Sequence, residues 1–214
     1  MRTTTEPHSD TLRVHKLEIW RGERCLIRDL SFRASLGEII HLKGPNGSGK
    51  TTLLRTLAGL TLADDGEIHW FGRRYRGRVG PEARARFRFV GHHDALKGGL
   101  DVRENLRALN ALDGGSIEGI DAALAEAGLA HRFGVPAQQL SAGQRRRAAL
   151  ARLRTSTADA WLLDEPFTSL DVDGIALTAR WIAEQATKGM VILSTHQPLP
   201  QGLDARVIEL GGAA

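Results

Sequence analysis

Cysteine is all but missing: one residue, Cys25, stands in 214. A disulfide needs two, so no disulfide framework holds this chain, and a reducing, cytosol-facing location fits it best. One thiol also excludes a cysteine-rich zinc module; Cys25 reads as a small packing residue. Long apolar runs are missing too. No stretch approaches ~18 consecutive apolar residues, so no segment reads as a membrane-spanning helix. Residues 1–7 hold no apolar core of the kind a secretory signal carries. If the protein works at a membrane, a partner brings it there. Repeats and low-complexity tracts are also absent. What remains has the balance of a soluble α/β protein.

The charge excess is small, +4, but it is unevenly placed. Arg73, Arg74, Arg76, Arg78, Arg84, Arg86 and Arg88 crowd one stretch. Such a run is first a solvated face. Contact with anionic lipid headgroups is the sharper alternative. A nucleic-acid surface lacks the interleaved aromatics that would stack on bases.

Along the chain, 12–20 alternates as a strand, and 38–42 reads as a buried strand that stops at Gly44. A short helix over 51–59 ends at glycine. Strands are expected at 67–71 and 86–90, and helices at 101–112 and 117–127. Asp101 and Glu104 form an aspartate version of the capping box for the first of these helices. A further helix runs from about 141 to 154, followed by a strand at 160–163, a helix at 173–188, and strands at 190–193 and 206–210. Strands alternating with helices at both ends imply a mainly parallel sheet. The stretch of about 95–155 is nearly all helical and reads as an insertion rather than a separate domain.

Gly44-Pro45-Asn46-Gly47-Ser48-Gly49-Lys50-Thr51 matches a P-loop between an apolar strand and a helix. Its glycines let the backbone curl so that N–H groups face phosphate oxygens. The following helix, beginning with Thr51 and Thr52, adds its positive end. Lys50 places charge between the β- and γ-phosphates, and the Thr51 hydroxyl suits Mg²⁺. A chance glycine-rich turn is the competing reading, and the strand–loop–helix setting argues against it.

The strand at 160–163 runs into Asp164 and Glu165. Neighbouring strand residues point to opposite faces, but the strand ends here and the chain can redirect one of them. Asp164 suits Mg²⁺, through water; Glu165 suits polarising an attacking water. Alone, this acidic pair could be a helix cap before Pro166. His196 follows the strand at 190–193, where a γ-phosphate sensor would sit. In Leu140-Ser141-Ala142-Gly143-Gln144, Ser141 and Gly143 open a helix, and their N–H groups with the Ser hydroxyl form a second anion site. Arg145, Arg146 and Arg147 follow. Basic residues in a first turn oppose the helix dipole by about 0.3–1 kcal/mol each, which fits a place where an anion binds. An ordinary serine cap with basic neighbours is the plainer alternative.

Taken in this order, with Ser169-Leu170-Asp171 after the acidic pair, these motifs resemble the ATP-binding-cassette ATPases over essentially the whole chain. The resemblance implies an α/β P-loop NTPase cassette: a mainly parallel core sheet, a small β subdomain and a helical subdomain at about 95–155, in a single ATPase domain over 1–214. It implies ATP and Mg²⁺ as ligands, with Lys50, Glu165 and His196 catalytic and Thr51 and Asp164 at the metal. It also implies a head-to-tail dimer, each ATP lying between one P-loop and the other copy's Ser141 and Gly143, with Asp171 at the interface. With one cassette and no membrane domain, separate membrane-spanning subunits are expected. The chain stops soon after its last strand, so no appended regulatory domain is expected.

A narrower resemblance rests on Gly91-His92, Leu96-Lys97, Glu104-Asn105-Leu106, the run 140–147, Asp164 to Thr168 and Val191 to Leu199. These look like the ATP-binding subunits of the bacterial haem exporter of cytochrome c maturation. Ala142 and Gln197, where most cassettes have Gly and Asp, agree with it. Asp101 replaces that subfamily's usual Thr, and both cap helices. The resemblance implies haem export, a peripheral place on the cytoplasmic face of the inner membrane, other cytochrome c maturation proteins as partners, and no nucleic acid. An importer or lipid-exporter subunit is the alternative within the class. Nucleic-acid-associated cassettes usually need a second cassette, a zinc module or a long coiled coil. A GTPase switch would need an Asn-Lys-x-Asp sequence, which is missing. Two positions depart from the wider family. His92 stands where other cassettes carry a Gln that touches Mg²⁺ and couples to the membrane subunit. Near the adenine position, either Arg21 or Trp20 could stack on the base.

Overall fold

The computed structural model describes residues 11–76, 78–113 and 115–211, so the expectation for residues 1–7 lies outside it. Two strands open the chain, β1 (Leu12–Arg21) and β2 (Arg24–Ala34), followed by β3 (Ile39–Lys43), α1 (Lys50–Leu57), β4 (Asp65–Trp70) and β5 (Arg73–Tyr75). Then come α2 (Pro81–Arg84), β6 (Phe87–Val90), α3 (Val102–Asp113), α4 (Ile120–Glu126) and α5 (Ala142–Ala151). The last elements are β7 (Ala160–Asp164), α6 (Val172–Ala186), β8 (Met190–Ser194) and β9 (Arg206–Glu209).

The strands form two sheets. One is antiparallel, in the order β2-β1-β4-β5; it is the small β subdomain, and it corrects the expectation that strands alternate with helices at the N-terminal end. The other is parallel, in the order β6-β7-β8-β3-β9. Its central strands β7 and β8 are buried at every position, as a parallel sheet covered on both faces requires.

Alternation along those strands sorts the core into two parts. Ile40, Leu42, Leu162 and Ile192 face a cluster shared with Leu12, Leu17, Leu53 and Trp70, between the two sheets and α1. Ile39, Trp161, Leu163 and Leu193 face a second cluster with Val102, Leu106, Leu150 and Trp181, beneath the helices. Burying each such side chain is worth about 1.5–3 kcal/mol.

The expected capping box is present, Asp101 and Glu104 each accepting the other's backbone N–H at 2.9 Å. The helix expected over 141–154 is α only to Ala151 and tightens into a 3₁₀ turn at Arg152–Thr155. Four arginines of the arginine-rich stretch are paired with acids. Arg73 meets Glu82, and Arg74 and Arg76 meet Glu67. Arg86 bonds Asp159 at 2.7 Å and lies over the Phe71 ring. Arg88 is buried on the Phe87 carbonyl at 2.9 Å. Burial pushes the Glu67 carboxyl up, but hydrogen bonds from His69, Arg74 and Arg76 outweigh it and hold its pKa below the ordinary value.

Candidate active site

β3 delivers the chain to Gly44, and α1 leaves from Lys50. A methyl group on Gly44 would strike the Leu210 carbonyl just after β9, so the loop starts pressed against backbone. Gly49 takes φ 96 at the cap of α1, a conformation open to glycine. Lys50 is buried, its ammonium donating to the Gly44 carbonyl at 2.6 Å and the Pro45 carbonyl at 3.0 Å. An ammonium has three N–H donors, so a third remains for a phosphate oxygen.

Thr51 on α1 donates its hydroxyl to Asp164 Oδ1 at 3.0 Å, which joins the P-loop to the end of β7. Ser194 at the end of β8 donates to the same oxygen at 2.7 Å. Asp164 is 1% exposed, and its other oxygen, Oδ2, is buried without a partner. A buried carboxylate oxygen left unpaired is costly, and a hard cation, directly or through water, satisfies it. Thr51 and Asp164 therefore fit Mg²⁺. Among the described residues, no group of three or more His, Cys, Asp or Glu side chains could hold a metal. Mg²⁺ is ordinarily held by one or two carboxylates plus substrate phosphates.

Glu165 takes φ 51, a left-handed turn that redirects its side chain away from the strand alternation. Its Oε2 lies 2.9 Å from His196 Nδ1 and accepts the His196 backbone N–H at 3.4 Å. The buried His41 on β3 donates from Nε2 to the Thr195 carbonyl at 3.2 Å, next to His196.

A cavity of about 540 Å³ gathers Lys50, Thr51, Thr52, Asn46, Glu165 and His196. His92 also lines it. A wider groove of about 930 Å³ shares Thr51 and His92 with that cavity and is lined by Asp164 as well. Of the two adenine candidates, Arg21 lines the cavity together with Arg24. Trp20 bonds Glu18 at 3.3 Å and lies beneath Arg28.

Ser141 and Gly143 line neither cavity. The cap reading holds for Ser141: its hydroxyl accepts Gln144 N–H at 3.2 Å, and Gln144 Oε1 accepts Ser141 N–H at 3.0 Å. Its own O–H is still free to donate to an anion. The arginines correct the expectation of a basic cluster at that site. Arg145 donates to the Leu140 carbonyl at 2.7 Å. Arg146 turns inward to the carbonyls of Gly91, Asp164 and Glu165 and to Asp94. Burial lowers the pKa of its guanidinium, and the Asp94 charge opposes that shift.

Ser194, Arg24 and Arg146 were not foreseen in these roles. None of the three carries a local sequence signal; Ser194 meets Asp164 only because β7 pairs with β8.

The family model described as ABC transporter matches residues 27–168. The chain is 49% identical over 197 residues to the cytochrome c biogenesis ATP-binding export protein CcmA of Salmonella typhi, covering 91% of this chain and 94% of that one. With the protein of the same name from Nitrosomonas europaea it shares 46% identity over 200 residues, 92% and 93% of the two chains. Among solved structures it superposes on an ABC transporter ATP-binding protein from Pyrococcus furiosus with a TM-score of 0.78 at 25% identity, covering 93% of this chain and 96% of that one. By these matches the chain belongs to the ABC transporter ATPases, in the family of the cytochrome c biogenesis ATP-binding export proteins.

Proposed function

We propose that this ABC ATPase powers a membrane haem exporter in c-type cytochrome biogenesis and works as a head-to-tail pair on the cytoplasmic face of the inner membrane. The observation that carries the hydrolytic part is the meeting, in one cavity, of Lys50, Thr51 and the Glu165–His196 pair, with Asp164 bonded to the Thr51 hydroxyl. The relatives, known as cytochrome c biogenesis ATP-binding export proteins, support the biological setting. Among the described residues no helix is long and apolar enough to cross a membrane, so a membrane-spanning subunit carries the transport path. Other cytochrome c maturation proteins receive what it delivers.

In this reading the loop N–H groups and Lys50 hold the β- and γ-phosphates of ATP. Thr51 and Asp164 would hold Mg²⁺, which when bound would supply positive charge to the phosphate oxygens. Glu165 orients and polarises the attacking water, and His196 fixes that carboxylate. Imidazole offers nitrogen where Mg²⁺ prefers oxygen, so His92 acts through a bound water or on the γ-phosphate. Ser141 and Gly143 of one copy close the site of the other. The wider groove, bounded by His92 and by Leu112 at 83% exposure, is the place for the membrane subunit.

Glu165→Gln tests the assignment. It keeps ATP binding and removes the carboxylate, so turnover falls about 10²–10⁴-fold. Size-exclusion chromatography with ATP and Mg²⁺ then shows a stable dimer. Turnover near wild type removes Glu165 from the role. Co-purification with the membrane partner, followed by haem binding to the complex, tests the transport setting; a complex that binds no haem counts against haem export.

A further inference from the structure

We infer that Arg146 is a positioning residue for hydrolysis, clamping the Asp164–Glu165 turn and the start of the His92 loop to the helix that opens after Ser141. The inference rests on Glu165 as the residue that polarises water.

Glu165 is a non-glycine residue in the left-handed region, φ 51, and such a conformation persists only where its surroundings over-determine it. Two holds are visible. On one side its N–H meets Ser194, 3.1 Å from the carbonyl oxygen and 3.2 Å from the hydroxyl. On the other, Arg146 Nη2 donates to the Glu165 carbonyl at 2.8 Å and to the Asp164 carbonyl at 2.9 Å. Successive carbonyls of an extended strand point opposite ways. The left-handed turn brings these two onto one nitrogen, which carries one hydrogen for each.

The second arm of the fork reaches a different segment. Nη1 donates to the Gly91 carbonyl at 2.8 Å, immediately before His92, and lies 3.4 Å from Asp94. Three backbone carbonyls from two segments are thus held by one planar group. An ammonium is a point donor on a flexible stem and cannot reproduce that span. The side chain is 3% exposed, so it offers no free face to an anion. It sits on α5, whose first turn carries Gly143 just after the Ser141 cap. A shift of α5 against the core sheet therefore moves the Glu165 backbone, while the P-loop, joined to β7 through Thr51, is not touched by Arg146.

This geometry separates binding from turnover. In Arg146→Lys and Arg146→Met, kcat per nucleotide-binding chain should fall at least tenfold, while the ATP dissociation constant stays within about threefold of wild type. Arg180→Lys, on the surface of α6, should change neither. Adding Arg146→Lys to Glu165→Gln should not slow the residual rate further, because the clamp acts through that carboxylate. Wild-type kcat in both Arg146 variants overturns the inference. So does a parallel loss of kcat and ATP affinity, or loss of nucleotide binding in both, since Arg146 would then serve folding alone. Failure of the underlying reading is told apart by Glu165→Gln itself: if that single variant turns over normally, Glu165 is not the base and the clamp has nothing catalytic to hold.

Discussion

Gly143 leaves no room for a methyl group. A Cβ built there would stand 2.7 Å from the Ser169 carbonyl oxygen, a backbone atom that cannot swing aside. Ser169 itself holds φ 65. The start of α5 is thus packed against the turn after β7, and both lie at the surface proposed to meet the partner's ATP. Alanine raises intrinsic helix propensity by about 1 kcal/mol over glycine, so stability is a poor readout for Gly143→Ala. Function is the better one. Shifting this turn withdraws the N–H groups that close the partner's site but spares the chain's own P-loop. Gly143→Ala should therefore lower ATPase activity at least tenfold, with ATP binding to the isolated chain unchanged in equilibrium titration. Full activity in the variant would remove Gly143 from the shared site.

At the scale of elements, α4 and α6 are joined through one carboxylate. Glu126 accepts the Trp181 indole N–H at 2.7 Å and meets Arg154 at 3.1 Å and Arg180 at 3.3 Å. Burial raises its pKa, but the Trp181 bond and the two arginines lower it by more, leaving it below the ordinary value of 4.5. The folded value lies below the unfolded one, so the stabilisation is full above the ordinary value and is lost as pH falls through the folded value. Glu126→Gln should cost about 0.2–1 kcal/mol at neutral pH, the range for exposed ion pairs, and should narrow its deficit at about pH 3. Urea unfolding at both pH values checks this, and a constant deficit would refute it. The core strands of this layer were readable as unbroken apolar runs because both faces of the sheet are covered. β2 was not readable, because its alternation is broken. Asp29 turns left-handed at φ 49, Lys16 does the same at φ 49 on β1, and the register between the two strands slips three times. β5 and α2, with three and four residues, are too short to show a period. In the site, Asp164 and Glu165 were legible as carboxylates ending a strand. Ser194 was not, because it meets Asp164 only through the pairing of β7 with β8. Arg146 was misread because a basic residue in a first turn looks the same in sequence whether it faces an anion or the interior.

At the scale of the molecule, one chain does not bring Ser141 into the cavity that holds its own Lys50. Lys50, Glu165 and His196 line one cavity, and Ser141, exposed at the start of α5, lines neither that cavity nor the neighbouring groove. Val172, beside the Asp171 cap, leaves an apolar side chain 81% exposed. In the proposed two-fold pair each P-loop would meet the other's Ser141, making two equivalent sites from one self-complementary contact. Lys50→Ala spoils the phosphate half of a site, and Ser141→Arg spoils the closing half. In a dimer of one chain of each kind, both defects fall in one site and the other is intact. Each variant alone should be inactive. Mixed in equal amounts with free exchange, half the dimers are hybrid and each has one working site, so about a quarter of the wild-type rate returns if sites act independently. The recovery should follow the product of the two chain concentrations and vanish when either chain is cross-linked to itself. Activity in a strictly monomeric wild-type preparation, or no recovery at any mixing ratio when hybrids are demonstrably formed, would show that the site is not shared in this way.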